Sequence, residues 1–258
     1  MTGVDLRPFY RAGSLGAALQ LLSLLVLVAV GIALGPRPTT AAEAFAAYQD
    51  GPLHLVLRGD LVIVGLLLAP YLLTAPALFL ALRRTGFAVA AFAALFTVIA
   101  VVGAIATEST FSLLHLAERY VSASSEAQRA AMLAAAEAVV AADLWNASAG
   151  YFGGFLLQGA GVAFSLLMLR SDRFHRLTAW SGLLGNGSDL VQHAIHPFMP
   201  AAASAIAIGM GLVYLVWYPM LAWDFARLGR VEHAPPGPRR AATPSTGTPS
   251  PAAGSARA

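Results

Sequence analysis

The amino-acid sequence predicts an all-α fold: a polytopic membrane bundle of six transmembrane helices, with an extra outer interfacial helix between helices 3 and 4. Composition is the first observation behind this prediction. Of the 258 residues 58% are hydrophobic and only 11% are charged, far from the average of soluble proteins. The second observation is a series of apolar runs of about 20 residues, the length that crosses a hydrocarbon core of about 30 Å.

Span 1 is the apolar run Leu15–Leu34. It is longer than the hydrophobic region of a typical signal peptide, and Gly35–Pro38 is a poor cleavage site, so the span is expected to be retained. The loop Pro36–Asp60 is polar enough to leave the bilayer. Within it Thr40 and Glu43 have the spacing of a capping box, which predicts the start of a short helix.

Spans 2 and 3 follow on either side of a tight turn. Span 2 covers Leu55–Leu82, and Pro70 and Pro76 predict a bend in it because each proline removes a backbone hydrogen-bond donor. Span 3 covers Phe87–Ala106. Its apolar pattern continues to Arg119, so the helix is expected to project beyond the membrane.

An alanine-rich segment comes next. Ser125 and Gln128 have the capping spacing, and Ala127–Leu144 favours helix strongly but is too weakly apolar to span a bilayer. We expect this helix to lie outside, at the membrane interface.

Span 4, Asn146–Leu169, carries small residues at a spacing that lets helix backbones approach closely in lipid. The pairs are Gly150 and Gly154, Gly159 and Ala163, and Gly161 and Ser165. Span 4 is therefore expected to be a central packing helix.

Span 5 is Leu177–Pro200 and span 6 is Ala201–Phe225. In span 6, Trp217, Tyr218 and Trp223 are expected to form an aromatic belt at the membrane surface.

These spans divide the chain into a transmembrane domain, residues 1–230, and a tail, residues 231–258. The tail is rich in Pro, Ala and Ser without apolar periodicity, and is expected to be disordered and cytoplasmic. Every basic residue is arginine, and all but four lie on the side that carries both termini. The four are Arg37, Arg58, Arg119 and Arg129. Positive residues concentrate in cytoplasmic loops, so both termini are expected inside. The arginines are topology determinants, which makes the lipid bilayer the expected partner and excludes nucleic acid.

Span 5 is the one long hydrophobic segment with ionisable residues well inside it. At 100° per residue its polar and smallest residues fall on one stripe: Gly182, Gly185, Asn186, Asp189, His193 and His196. Asp189 lies about 18 Å into the span, near mid-membrane. A charged aspartate there costs at least about 2.5 kcal/mol on insertion scales, so it must face protein or water, be paired, or be protonated.

Three uses of this stripe are open. As packing, Asp189 would bond His193 and Gln158 of span 4, with about 0.6 kcal/mol per contact. As a zinc site it would need three or more ligands, for which the candidates are His193, His196, Asp189 and His115. As a proton or ion pathway or a small-ligand pocket, the candidates are Asp189, His193, His196, Asn186, Gln158 and Asp60.

Several chemistries are excluded. The chain has no cysteine, so thiolate catalysis and cysteine-ligated metal centres are ruled out. It also lacks a phosphate-binding glycine loop, a His-Glu-x-x-His motif and a nucleophile elbow. We expect a protein without cofactor and without enzymatic activity, serving ligand sensing, membrane homeostasis or partnership with another protein. The alternatives are a metal-dependent membrane hydrolase with zinc, or a proton- or ion-coupled small transporter.

Several sequence segments resemble those of a known protein family. Asp60 opens a leucine-rich span that contains Pro70 and Tyr71, Leu116–Tyr120 reads LAERY, and Ser165–Ser171 reads SLLMLRS. Between Leu55 and Gly185 the chain resembles an uncharacterised family of bacterial six-helix membrane proteins, the domain of unknown function 4386. The resemblance implies a multi-pass protein of the bacterial inner membrane, and it transfers no functional residue.

Overall fold

Helices form all the regular secondary structure in the computed structural model, which describes residues 5–143 and 147–231. Five helices in these ranges are long and apolar enough to cross a membrane. They are Arg7–Leu34, Asp60–Leu82, Phe87–Ser122, Ser148–Leu169 and Pro200–Arg230. The second and the third are each built from more than one helical segment. The chain is therefore an all-helical membrane protein, as the composition predicts.

The first long helix, α1, covers Arg7–Leu34. It begins eight residues before the predicted span 1, because the polar residues ahead of Leu15 continue the same helix. Pro8 lies in the first turn, where a helix needs no backbone donor, so it does not interrupt α1.

The predicted second span is not one helix, because the chain breaks at Gly59. Helix α3 covers Pro52–Arg58, and α4 starts the span at Asp60–Val62. A side chain at Gly59 would lie 2.5 Å from Thr110 Oγ1 and 2.9 Å from the backbone oxygen of Leu55. Only glycine lets the chain pass this close to Thr110.

An irregular helical turn in span 2 lies ahead of the first of the two prolines that predict a bend. After α4 the chain runs through a π-helical segment, Ile63–Leu68, before α5 starts at Tyr71 and ends at Leu82. Pro70 lies directly between the two, and Pro76 lies inside α5. A π-helical turn is a recognised cause of helix bending.

Four shorter helices pack together at one end of the bundle, and we call them the cap: α2 (Ala41–Gln49), α3, α7 (Thr110–Ser122) and α8 (Glu126–Ala141). Between α7 and the span helix α6 (Phe87–Ala106) the chain breaks for three residues. The cap helices share one apolar core: Ala41, Ala44, Phe45, Ala47, Leu55, Leu113, Ala117, Ala136 and Val140. The predicted alanine-rich helix is α8, and it packs into the cap through Ala136 and Val140.

Both predicted cap motifs are confirmed. The Thr40 hydroxyl accepts from the Glu43 backbone N–H at 3.2 Å, and the Ser125 hydroxyl accepts from Gln128 at 3.3 Å. The Glu43 carboxylate accepts from the Thr39 backbone N–H at 2.7 Å. This bond and the Thr39 hydroxyl hold the pKa of Glu43 below its ordinary value of 4.5. The bond therefore stabilises α2 above pH 4.5 and is lost as the pH falls through the lowered pKa.

The bundle proper packs α9 (Ser148–Leu169) and α11 (Pro200–Val231) on either side of α10 (Arg176–Ile195). Trp217 and Tyr218 of α11 are 1% and 2% exposed in the core, whereas Trp223 is 56% exposed. The predicted aromatic belt is therefore wrong for Trp217 and Tyr218, because they lie on the inward face of α11 with Leu221 and Phe225.

We call the end of the bundle opposite the cap the arginine end. Here Arg173, in the loop before α10, donates to the Tyr10 hydroxyl at 3.3 Å and to the backbone oxygen of Ala81 at 3.2 Å. The fully buried Asp224 accepts from His175 Nδ1 at 2.5 Å and from the Thr178 hydroxyl at 2.6 Å. These bonds fasten α1, α5, α10 and α11 to one another.

At the cap end, Arg37 joins the cap to the bundle. Its guanidinium lies 2.9 Å from the buried carboxylate of Asp60 and also contacts the carboxylate of Asp143. The segment after α1, the start of α4 and the end of α8 therefore meet at one charged junction.

Several predictions fall partly on residues outside the described ranges. Leu144, the predicted last residue of the alanine-rich helix, and Asn146, the predicted first residue of span 4, both lie outside them. Of the predicted tail, 231–258, the structure describes only Val231, which closes α11.

Candidate functional site

A cavity of about 330 Å³ lies inside the bundle and is lined by residues of α1, α5, α6, α9, α10, α11 and the π-helical segment. Its polar wall consists of Tyr71, Gln158, Asp189, His193, Tyr214 and Tyr218. Its apolar wall includes Leu24, Leu67, Leu68, Val101, Leu157 and Met210. The cavity thus joins a largely apolar volume to a few convergent polar groups.

Helix α10 supplies the centre of the polar wall. His193 Nδ1 lies 3.0 Å from Asp189 Oδ1 and 3.0 Å from the Asp189 backbone oxygen. Both partners of Nδ1 are acceptors, so Nδ1 carries a hydrogen. The prediction that Asp189 and His193 touch and point into the bundle is confirmed, and Asp189 is only 7% exposed.

Helix α11 completes the wall with two tyrosines. The Tyr214 hydroxyl lies 3.2 Å from Asp189 Oδ2 and 3.2 Å from Gln158 Oε1. The predicted link between Asp189 and Gln158 therefore passes through Tyr214. One turn further along α11, the Tyr218 hydroxyl lies 2.9 Å from the hydroxyl of Tyr71 on α5.

Glycines set the spacing of the three helices around this wall. A side chain at Gly154 of α9 would overlap the His193 ring, and one at Gly161 would overlap the Asn186 amide. A side chain at Gly185 of α10 would lie 2.9 Å from the Tyr214 ring. The small residues of α9 and α10 are thus the places where larger polar side chains of the neighbouring helix fit.

The other two residues of the stripe have different positions. Asn186 is 1% exposed and donates to the backbone oxygen of Gly182 at 2.7 Å, away from the cavity lining. His196 follows α10, lines the cavity and is exposed, at the end of the wall nearest the cap. Asn186 is therefore a packing residue here, and His196 lies at the cavity rim.

Two further candidates are not brought to the stripe. Asp60 lies at the junction with Arg37, outside the cavity lining, and His115 is exposed on α7 in the cap. Within residues 5–143 and 147–231, no three His, Asp or Glu side chains lie close enough together to hold one metal ion. The described part of the chain thus offers no ligand set for zinc.

The tyrosines of the polar wall are the cavity residues that sequence reasoning missed. Tyr214 and Tyr218 are spaced i and i+4 on α11, so they share a face, and Tyr71 directly follows Pro70. That spacing was an available signal. The same spacing is equally typical of an aromatic core. Which face of α11 packs against α10 depends on the tertiary structure, so the spacing alone does not reveal it.

Fold and site together define an all-helical membrane protein with a cavity and an Asp–His–Tyr wall. No family model, no curated protein and no solved structure matches the chain.

Proposed function

We propose that the protein binds a small, mostly apolar molecule in this cavity and that it is not an enzyme. The observation that carries the proposal is the joining of an apolar volume of about 330 Å³ to one polar wall. Natural small-molecule sites have this volume and this composition, with a few placed polar groups that fix the orientation of the ligand.

The burial of Asp189 supports the same proposal. Interhelical packing alone is satisfied by its bonds to His193 and Tyr214, and it needs no cavity beside them. An ionisable group within a membrane-spanning segment is costly and marks a functional site by default. The Asp189 carboxylate lies where the polar wall borders open volume.

We further propose that the chain crosses the bacterial inner membrane six times, with both termini in the cytoplasm and the cap outside, α8 lying at the interface. Antiparallel contacts along α10 support the sixth crossing. His193, Asn186 and Gly182 meet Gly154, Gly161 and Ser165 of α9 in reverse order, so α10 runs antiparallel to α9 over residues 154–165 of α9. This proposed topology is the one implied by the resemblance of the chain to the domain of unknown function 4386.

A leucine placed inside the cavity tests ligand binding. Gly211 lines the cavity and has no atom within 4 Å of where a side chain would start, so Gly211→Leu fills the volume without a clash there. Gly209 on the same helix is equally open, exposed and outside the lining, which makes Gly209→Leu the matched control.

The measurement is native mass spectrometry of protein released gently from its own membranes. We expect a bound small molecule on the wild type and on Gly209→Leu, and its loss from Gly211→Leu. A wild type that carries no such molecule, or an adduct that survives equally in both variants, would contradict the proposal.

A further inference from the structure

The charge of the cavity lining points to the class of ligand. Asp189 is the one carboxylate among the lining residues that the structure describes, and no arginine is among them. The sequence contains no lysine at all. An anionic ligand would therefore meet a carboxylate without any permanent cation to offset it.

The hydrogen bonds of the polar wall point the same way. The Tyr214 hydroxyl has two acceptors at equal distance, Asp189 Oδ2 and Gln158 Oε1, and it has one proton to donate. One of these oxygens is therefore left without that donor. Tyr71 and Tyr218 bond to each other and add no charge. His193, which bonds the other carboxylate oxygen, adds a positive charge only when it is protonated. With His193 neutral, the carboxylate decides the preference of the wall.

Four tyrosine rings line the same cavity as the carboxylate. Tyr71, Tyr151, Tyr214 and Tyr218 all line the cavity, and the rings of Tyr214 and Tyr218 stack with their centroids 5.3 Å apart. The face of a tyrosine ring attracts a cation, most strongly where water is excluded. The apolar wall opposite, with Leu67, Val101 and Met210, suits a hydrocarbon body.

We propose that the ligand is an amphipathic organic cation, a protonated amine on an aromatic or aliphatic body. Its N–H groups donate to Asp189 Oδ2 and Gln158 Oε1, its charge lies among the tyrosine rings, and its body fills the apolar wall. This inference rests on the proposed function, because it names the ligand class of the same cavity.

Three probes with one shared body separate the ligand classes: phenylpropylammonium, phenylpropanol and phenylpropanoate. Their binding is measured calorimetrically on the full chain in phosphatidylcholine nanodiscs, with empty nanodiscs subtracted. We expect the cation to bind about ten-fold more tightly than the alcohol, and the carboxylate to bind least. This comparison needs only the wild type, so it holds whether or not any variant folds.

The Asp189→Asn variant then tests whether the Asp189 carboxylate causes the preference for the cation. It should lower the affinity for the cation about ten-fold, to that of the alcohol, and leave the alcohol unchanged. Asp172 is an exposed carboxylate at the arginine end, so Asp172→Asn is the matched control and should alter neither affinity.

Equal affinities for the cation and the alcohol, a preference for the carboxylate, or an unchanged cation preference in Asp189→Asn would each overturn the ligand class. The proposed function is decided separately. If the alcohol binds as tightly as the cation and Gly211→Leu abolishes both, the cavity binds small molecules but does not select cations.

Discussion

Asp189 accepts from His193 Nδ1 and from the Tyr214 hydroxyl, so two donors inside the bundle share one carboxylate. Replacing it by asparagine keeps an acceptor in the same place. Leucine removes that acceptor and leaves His193 Nδ1 with the Asp189 backbone oxygen alone and the Tyr214 hydroxyl with Gln158 Oε1 alone. Each donor then loses a bond to an ionised group, which is worth more than a neutral one.

We therefore expect Asp189→Asn to change the free energy of unfolding by less than about 1 kcal/mol, and Asp189→Leu to lower it by about 1–2 kcal/mol. Thermal unfolding of the purified protein in detergent measures both, with Asp172→Leu as an exposed control. A leucine variant as stable as the wild type would show that the Asp189 bonds contribute nothing to the fold.

For individual residues, the sequence predicted the contacts between side chains on the same helix. The spacing of Asp189 and His193 places them together on any α-helix, and the structure agrees. The sequence did not predict Tyr214 as the third member, since its contact with Asp189 depends on how α11 faces α10. Asp60 was grouped with the stripe for its predicted depth alone, but Arg37 holds it at the cap junction.

At the scale of elements, close approach of α9 and α10 depends on where glycine occurs. Gly161 lies against the Asn186 amide, which is buried and bonded to the backbone of Gly182. Gly159, two residues earlier on α9, has open space where its side chain would be. The sequence marked both glycines for close packing, and only the structure separates them.

An alanine at each position tests this difference. Gly161→Ala should lower the free energy of unfolding by about 1–3 kcal/mol, because the Asn186 amide must move out of a packed interface. Gly159→Ala should be neutral or slightly stabilising, since alanine favours helix over glycine. The melting temperatures of both variants, measured in one detergent, test this difference. Equal losses of stability for the two variants would argue against the tight Gly161 contact.

Helix starts and helix breaks show why some elements were predictable. The caps at Thr40 and Ser125 use bonds within four residues, so the local sequence determines them. The break at Gly59 depends on Thr110, about fifty residues away in the chain, and no local pattern reveals it. The inward orientation of Trp217 and Tyr218 also depends on distant contacts, so no local pattern predicts it.

At the scale of the whole molecule, charged residues lie at both ends and hold the bundle closed there. Asp224 gathers bonds from His175, Thr178 and Arg227 at the arginine end, and Arg37 joins two carboxylates at the cap end. Arginine positions in the sequence predicted which segments share an end. The orientation of the molecule in the membrane depends on the bilayer as well as on the chain.

The count of crossings depends on α10 alone. Its polar stripe makes it less apolar than the five helices that qualify as spans by composition, although it runs antiparallel to α9. If α10 crosses, the loop before it and the loop after it lie on opposite sides of the membrane. If it does not, they share a side.

Because the chain has no cysteine, single-cysteine variants report this without background labelling. Asp172→Cys and Pro197→Cys flank α10 at exposed positions, with Thr85→Cys as the reference for the arginine end and Ala127→Cys for the cap. With an impermeant maleimide on right-side-out spheroplasts, we expect Pro197→Cys and Ala127→Cys to be labelled. Asp172→Cys and Thr85→Cys should react only after the membrane is opened.

This experiment tests the number of crossings and the orientation of the cap separately. If Asp172→Cys and Pro197→Cys react alike in intact spheroplasts, α10 does not cross, and Asp189 then lies outside the membrane-spanning part of the protein. If both pairs are reversed, six crossings hold but the cap lies in the cytoplasm. The cavity rim at His196 lies beside Pro197, so the same labelling decides from which side of the membrane a ligand reaches Asp189.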